Sequence, residues 1–151
     1  MLRSLLSRKK DYSKITSPPC KGETVEAIII DIYDGDTYTV VYNIKKVPFK
    51  IRVRLEGIDT PEIRRVTAES EKEASLLIRE HMKSILLDKK VKLKVVKWGK
   101  YGGRIIGRIY HDKVGDVSLY LLDKRLAKIY KGRTKNRWVE SECRTIIESL
   151  Q

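Results

Sequence analysis

Alternating apolar and polar residues in the first third of the chain predict β-strands. Asp34-Gly35 and Lys45-Lys46 provide short connections between three runs rich in Val, Ile, Thr and Tyr, a composition typical of strands. These runs occupy residues 24–32, 37–44 and 47–55. Because connections of this length join neighbouring antiparallel strands, the pattern predicts a three-stranded meander.

The apolar spacing then changes and predicts an amphipathic helix over residues 68–87. Glutamates near its start suit the positive end of the helix dipole. Its apolar side chains recur every three or four positions, at Ala74, Leu77, Ile78, Met82, Ile85 and Leu86. Beyond it, the pattern predicts a hairpin of strands 91–96 and 105–110, then helices at 117–126 and 137–150.

This order of elements predicts a mainly β fold of the α+β class. It is compatible with a Greek-key barrel of the oligonucleotide-binding (OB) type, which closes most sheet edges and exposes loops to ligands. We therefore expect a five-stranded barrel with about three helices. A cluster of Ser, Pro and Gly at 17–22 favours a boundary between a flexible basic tail, residues 1–23, and one domain, residues 24–151.

Net charge narrows the class of partner. The chain has 151 residues, with 33 Lys and Arg against 20 Asp and Glu, and a formal net charge of +13. Such an excess attracts polyanions, so we expect a nucleic acid or, through the basic tail, weak contact with an acidic membrane. The tail lacks the apolar stretch of a secretory signal. We expect an intracellular, cytoplasmic protein, with an organellar transit peptide as the alternative.

The first hairpin carries two carboxylates in the sequence Asp34-Gly35-Asp36-Thr37. Asp-Gly is a preferred two-residue turn, which explains Asp34 and Gly35 without any function. Asp36 is less well explained, because a second carboxylate at a turn adds repulsion. Asp36 is therefore a candidate functional residue.

The segment from Arg54 to Glu62 follows the third predicted strand. A purely structural interpretation makes Asp59 or Thr60 the N-cap of a helix with Pro61 in its first turn. Arg54 would then be a solvated charge on the polar face of its strand.

A functional interpretation starts from the meander, which can bring Asp36 close to Asp59, Glu62 and Arg54. Clustered carboxylates need a cation. The Cys and His residues are isolated in the sequence, so a hard divalent ion held by oxygen atoms, Ca²⁺ or Mg²⁺, is the natural one. Arginine would complement an anionic substrate, because its guanidinium group matches phosphate oxygens.

Three ordered motifs resemble the thermonuclease, or staphylococcal nuclease-like, family. They are the hairpin tip at 34–37, the segment 54–62, and Lys100-Tyr101-Gly102-Gly103-Arg104, and the similarity spans about residues 25–135. The resemblance implies a five-stranded OB barrel that hydrolyses phosphodiester bonds of DNA and RNA with little base specificity. It also implies one bound Ca²⁺ ion, in preference to Mg²⁺.

The resemblance further implies roles for individual residues. Asp36 and Asp59 correspond to carboxylate ligands of the metal, and Thr60 to the donor of a backbone carbonyl. Glu62 corresponds to the residue that orients or deprotonates the attacking water. Asp34 would support the ligands without touching the metal.

The same comparison implies that Arg54 and Arg104 bind the phosphate and stabilise the charge of the transition state. Tyr130 is the counterpart of a tyrosine near the nucleotide base, and Lys100 and Tyr101 would contact the nucleic acid. Basic segments at 89–108 and 124–137 extend this surface, with Trp138 assigned to the core.

One departure from the family pattern leaves an alternative open. The usual Tyr-Gly-Arg is here Tyr101-Gly102-Gly103-Arg104. An inserted residue changes the face on which the next side chain lies, so Arg104 could be disabled. The alternative is a non-catalytic module of the same fold that binds nucleic acid. A membrane-surface protein that uses the basic tail is a third hypothesis.

Overall fold

The computed structural model of the protein describes residues 21–100 and 103–151. Most of the predicted tail and Tyr101 lie outside the described residues. Within the described part of the chain, no helix has the length and apolarity needed to cross a membrane.

The described chain contains eight strands and three helices. The strands are β1 (Thr24–Asp34), β2 (Thr37–Ile44), β3 (Val47–Leu55), β4 (Ile58–Asp59), β5 (Lys90–Trp98), β6 (Arg104–His111), β7 (Gly115–Asp116) and β8 (Lys128–Ile129). The helices are α1 (Glu71–Leu86), α2 (Val117–Asp123) and α3 (Glu140–Leu150). The five long strands and the three helices match the predicted elements, whereas the three two-residue strands were not predicted.

The five long strands form a closed barrel. Antiparallel pairs run in the order β3-β2-β1-β5-β6, and a parallel pair between β3 and β6 closes the sheet on itself. The predicted fold class is therefore confirmed. The parallel pairing of β3 with β6 leaves no local signal in the sequence, because parallel strands are joined by a long crossover and so lie far apart along the chain.

The core fills the barrel and extends beneath α1. Inward residues of β3 are Ile51, Val53 and Leu55, and α1 packs on β1 and α3 through an apolar face that includes Ile78 and Met82. The periodicities of strand and helix predicted these positions, because burial requires every apolar residue of an element to share one face.

Two irregularities in β1 direct its end towards the interior. The register with β2 shifts between Ile29 and Asp31 and again between Ile32 and Asp34. The buried positions change from Ala27 and Ile29 to Ile32 and Asp34, as expected when a bulge adds a residue to one strand. Asp34 is therefore buried at the end of β1 rather than exposed at a hairpin tip.

The segment between β4 and α1 is irregular, so the predicted helix start at Asp59 or Thr60 is wrong. The buried Glu71 carboxylate accepts hydrogen bonds from the backbone N–H groups of Glu62, Thr67 and Ala68. It thereby satisfies donors that a helix would otherwise have satisfied internally. Helix α1 begins only at Glu71.

Candidate active site

The hairpin between β1 and β2 places Asp36 inside the protein. Its two turn residues are Gly35 and Asp36, not the Asp34-Gly35 pair expected from the sequence. A Cβ atom at Gly35 would lie 2.7 Å from Thr60 Cγ2 and 2.9 Å from Ile78 Cγ2. Gly35 is thus required for the close approach of this turn to the segment after β4.

Arg54 lies between two buried carboxylates. Its Nη1 is 3.1 Å from Asp36 Oδ2, and its Nη2 is 3.5 Å from Asp59 Oδ1. Nη1 also donates hydrogen bonds to the carbonyl oxygens of Leu55 and Ile58. Its side chain is only 12% exposed, so the interpretation of Arg54 as a solvated charge is wrong: β4 and the loop around it cover the guanidinium group.

The backbone around Thr60 completes the contact between the hairpin and β4. The Thr60 N–H donates to Asp36 Oδ2 at 3.0 Å. Asp59 accepts a hydrogen bond of 3.1 Å at Oδ2 from the indole Nε1 of Trp138. Asp36, Asp59 and Thr60, the three predicted metal ligands, are therefore adjacent and buried.

Glu62 lies on the solvent side of this cluster and is joined to it by a lysine. Lys135 Nζ is 2.6 Å from Glu62 Oε1 and 2.8 Å from Asp59 Oδ1. Partial burial by itself would lower the pKa of Lys135, but the hydrogen bonds to the two carboxylates outweigh it and the net shift is upwards. The ammonium group thus remains charged between the two carboxylates.

Burial disfavours negative charge at the hairpin. It raises the pKa of Asp34 to about 7, with a further contribution from the neighbouring Asp36 carboxylate. Burial also raises the pKa of Asp36, partly offset by Arg54 and reinforced by Asp59. Removal of these carboxyl groups from water is thus the main cause of both shifts.

The donor chemistry of the cluster fits a hard cation. Three carboxylates, those of Asp36, Asp59 and Glu62, contact two cationic side chains, Arg54 and Lys135, and the Asp34 carboxylate accepts from the Asp36 backbone N–H. Within residues 21–100 and 103–151, no three Asp, Glu, His or Cys side chains come close enough to hold a metal ion by themselves. Two carboxylates would thus need backbone and water oxygens to complete a shell, which Ca²⁺ accepts readily.

The remaining predicted residues lie outside this cluster. Arg104 pairs with Arg52 in the parallel ladder, whereas Ile106 pairs with Arg54. Arg104 is exposed, and in the described part of the chain no hydrogen bond or ion pair joins it to the carboxylates. Lys100 is exposed in the turn before Tyr101, which is not among the described residues.

Tyr130 reaches Arg54 by way of the pair between β4 and β8. The Tyr130 N–H donates to the Gly57 carbonyl oxygen, and the Arg54 Cζ atom lies 5.9 Å from the centre of the tyrosine ring. The hydroxyl donates to the Arg133 carbonyl oxygen. Tyr130 thus forms one wall of the candidate site, in cation–π contact with its arginine.

Two residues of the site were not predicted from the sequence. Lys135 belongs to an acid-free basic segment and has no distinguishing local pattern. Trp138 is buried, as expected for a core residue, but its indole N–H also donates to Asp59 and the centre of its ring lies 4.4 Å from Lys128 Nζ. The signal in the sequence for a polar contact of Trp138 was the indole itself, since a buried Trp N–H usually finds an acceptor.

Comparison with known proteins identifies the family of the chain. A family model described as staphylococcal nuclease homologue matches residues 52–148, which include Arg54, Asp59, Glu62 and Lys135. No curated protein matches the chain. The match suggests a nuclease-like or nucleic-acid-binding module. Because it covers more than half of the sequence, the chain belongs to the staphylococcal nuclease homologue family.

Proposed function

We propose that the protein is a Ca²⁺-dependent nuclease that hydrolyses phosphodiester bonds of DNA, RNA or both with little base specificity. The observation that carries the proposal is the shared guanidinium of Arg54, which contacts both Asp36 and Asp59. Two buried carboxylates and an arginine at one point form a binding site for a cation and a phosphate. The chain has a net charge of +13, so the burial of two carboxylates at one point indicates that negative charge is required at that point.

The ligands of the ion would be the Asp36 and Asp59 carboxylates and the Thr60 carbonyl oxygen. Bound Ca²⁺ supplies polarisation of a phosphate oxygen. We favour Ca²⁺ over Mg²⁺ because Mg²⁺ demands a near-ideal octahedron, whereas Ca²⁺ tolerates irregular sets of oxygen atoms. Asp34 supports Asp36 by accepting a hydrogen bond from its backbone N–H at 3.3 Å.

Arg54 retains donors for a substrate. Its Nη1 hydrogens are directed to two carbonyl oxygens and Asp36, and one Nη2 hydrogen is directed to Asp59. Among the described residues none accepts from Nε, so Nε and the second Nη2 hydrogen can bind phosphate oxygens. Preorganised donors of this kind stabilise charge that develops in a transition state.

Glu62 would orient the attacking water and accept its proton. The hydrogen bond from its backbone N–H to Glu71 anchors the residue, but its side chain is engaged by Lys135. Lys135 must therefore move away, or share the carboxylate, when the water binds. Arg104 would contribute a second guanidinium, and Tyr130, Lys100 and Tyr101 would contact the nucleotide.

A non-catalytic nucleic-acid-binding module is the second candidate. It is favoured by the pairing of Arg104 with Arg52 instead of Arg54. On this hypothesis the basic surface binds nucleic acid while the second catalytic arginine is absent from the carboxylate cluster.

Digestion of single-stranded DNA by the purified full chain separates the two candidates. We expect cleavage with Ca²⁺, its loss on addition of a chelator, and recovery when Ca²⁺ is restored. Arg54→Ala and Glu62→Ala should each lower turnover by about a hundredfold or more, the scale of losing one transition-state donor. Arg64→Ala and Glu148→Ala, at exposed positions, are matched controls. Metal-independent binding without cleavage would favour the non-catalytic module.

A further inference from the structure

The outer face of β3 carries a row of cations that ends at the candidate active site. Lys50, Arg52 and Arg54 occupy alternate positions of the strand, opposite the inward Ile51 and Val53. Side chains two residues apart on a strand share a face and are separated by about 6.4–6.8 Å. The row therefore presents regularly spaced positive charges that lead to Arg54.

The row forms one side of an open groove of about 780 Å³. The register aligns Asp31 with Thr39, Thr39 with Arg52, and Arg52 with Arg104, across β1, β2, β3 and β6. The groove is lined by Asp31, Thr39, Lys50, Arg52, Gly103 and Arg104, among others. The next row of the same ladder contains Thr37, Arg54 and Ile106. The groove thus adjoins the candidate active site along the strand direction.

The charges in the groove are available to a ligand. Three cations line it against one carboxylate, that of Asp31. In the described part of the chain no ion pair engages Lys50, Arg52 or Arg104, in contrast to Arg108, whose Nε is 2.7 Å from Glu56 Oε2. Unpaired like charges in a concave surface repel each other and attract an anion with several charges.

We propose that this surface, the β3 groove, binds the sugar-phosphate backbone of a single strand of DNA or RNA beyond the phosphate that is cleaved. The proposal rests on the proposed function and extends it with a second set of phosphate subsites formed by Lys50 and Arg52, next to Arg104, which the proposed function assigns to the cleaved phosphate. A linear row of cations suits successive phosphates of a polymer. The face of the second and third strands is also where OB barrels commonly bind oligonucleotides. A flat lipid surface could not follow a concave groove.

The test measures binding of a fluorescent single-stranded oligonucleotide to the full chain by anisotropy, with chelator present throughout. Affinity is determined over a series of salt concentrations. Each phosphate contact contributes about 0.7 to the slope of log affinity against log salt for single strands. Lys50→Gln/Arg52→Gln should therefore bind more weakly and lower the slope by about 1.4. Lys72→Gln/Lys113→Gln, at exposed positions, removes the same charge elsewhere and should leave the slope unchanged.

A second variant tests the groove without removing either cation, in case the double variant does not fold. Thr39→Asp adds a carboxylate to the groove without removing a cation, and it should also weaken binding; circular dichroism checks the fold of each variant. An unchanged slope in Lys50→Gln/Arg52→Gln or an unchanged affinity in Thr39→Asp would overturn the proposal. So would a loss of affinity in Lys72→Gln/Lys113→Gln equal to that in the groove variants. So would a greater loss of binding to phosphatidylserine vesicles than to the oligonucleotide. Because chelator prevents cleavage, this result is independent of the digestion assay that tests the proposed function.

Discussion

Lys135 occupies the space between a proposed metal ligand and the proposed catalytic carboxylate. Its ammonium group is 2.8 Å from Asp59 Oδ1 and 2.6 Å from Glu62 Oε1. A Ca²⁺ ion that binds Asp59 must compete with this internal cation. We therefore predict that Lys135→Met, which keeps most of the length of the side chain and removes its charge, raises the affinity for Ca²⁺.

The expected size follows from the exposure of the contact. Unit charges about 4 Å apart attract by roughly 4 kcal/mol at an effective dielectric constant near 20. The Lys135 side chain is 44% exposed, which reduces each contact towards the ~0.2–1 kcal/mol of solvated ion pairs. Two such contacts oppose the metal by about 0.4–2 kcal/mol. Since about 1.4 kcal/mol corresponds to a factor of ten, we expect an increase of about two- to thirtyfold.

Isothermal titration of Ca²⁺ into the metal-free full chain measures this affinity. Lys131→Met is the matched control, because Lys131 is exposed on the same segment and has no ion pair among the described residues. Its affinity should equal that of the original protein. Equal or weaker binding by Lys135→Met would refute the idea that the ammonium group competes with the ion. Absence of Ca²⁺ binding in all three proteins would instead refute the metal site itself.

Three further predictions concern stability. Gly35→Ala should lower the free energy of unfolding, measured in urea, by about 1–3 kcal/mol, the usual cost of overpacking. The same substitution should lower it by less in a Thr60→Ser background, because serine lacks the Cγ2 atom that would lie 2.7 Å from the new Cβ. Trp138→Phe should cost about 1.5–3 kcal/mol, the value of a hydrogen bond to a charged group; no loss would show that the indole N–H is dispensable to Asp59. Burial and the Asp36 carboxylate raise the pKa of Asp34 from 3.8 to about 7, so between these values the folded state binds the extra proton and stability falls as pH rises. In chelator, the stability of Asp34→Asn relative to the original protein should therefore increase from pH 4 to pH 7, and a constant difference would contradict the raised pKa.

Local periodicity determined most of the fold. Alternation identified β3 and the inward positions Ile51 and Val53, and a spacing of three and four identified the buried face of α1. These predictions succeed because burial acts on each element separately and imposes the period of that element. The ends of the elements were less accurate: α1 begins at Glu71 instead of residue 68, since a side chain, rather than a helical turn, satisfies the preceding backbone donors.

The sequence also named candidate site residues, but it could not establish their contacts. The proximity of Asp36 and Asp59 was a reasonable expectation from the meander and the motifs. The burial of Arg54 between them was not, because it depends on β4 and the covering loop. Lys135 and Trp138 reach Asp59 across 76 and 79 positions of the chain, a separation at which no local pattern carries information.

The sequence alone thus determined which segments form strands and helices, which of their faces are apolar, and that the charge is strongly positive. Only the tertiary structure decided that β3 pairs with β6, that Arg104 aligns with Arg52, and that Lys135 lies against the carboxylates. The physical reason is that propensity and periodicity act between near neighbours. Barrel closure and ion pairing depend instead on residues that folding alone brings together.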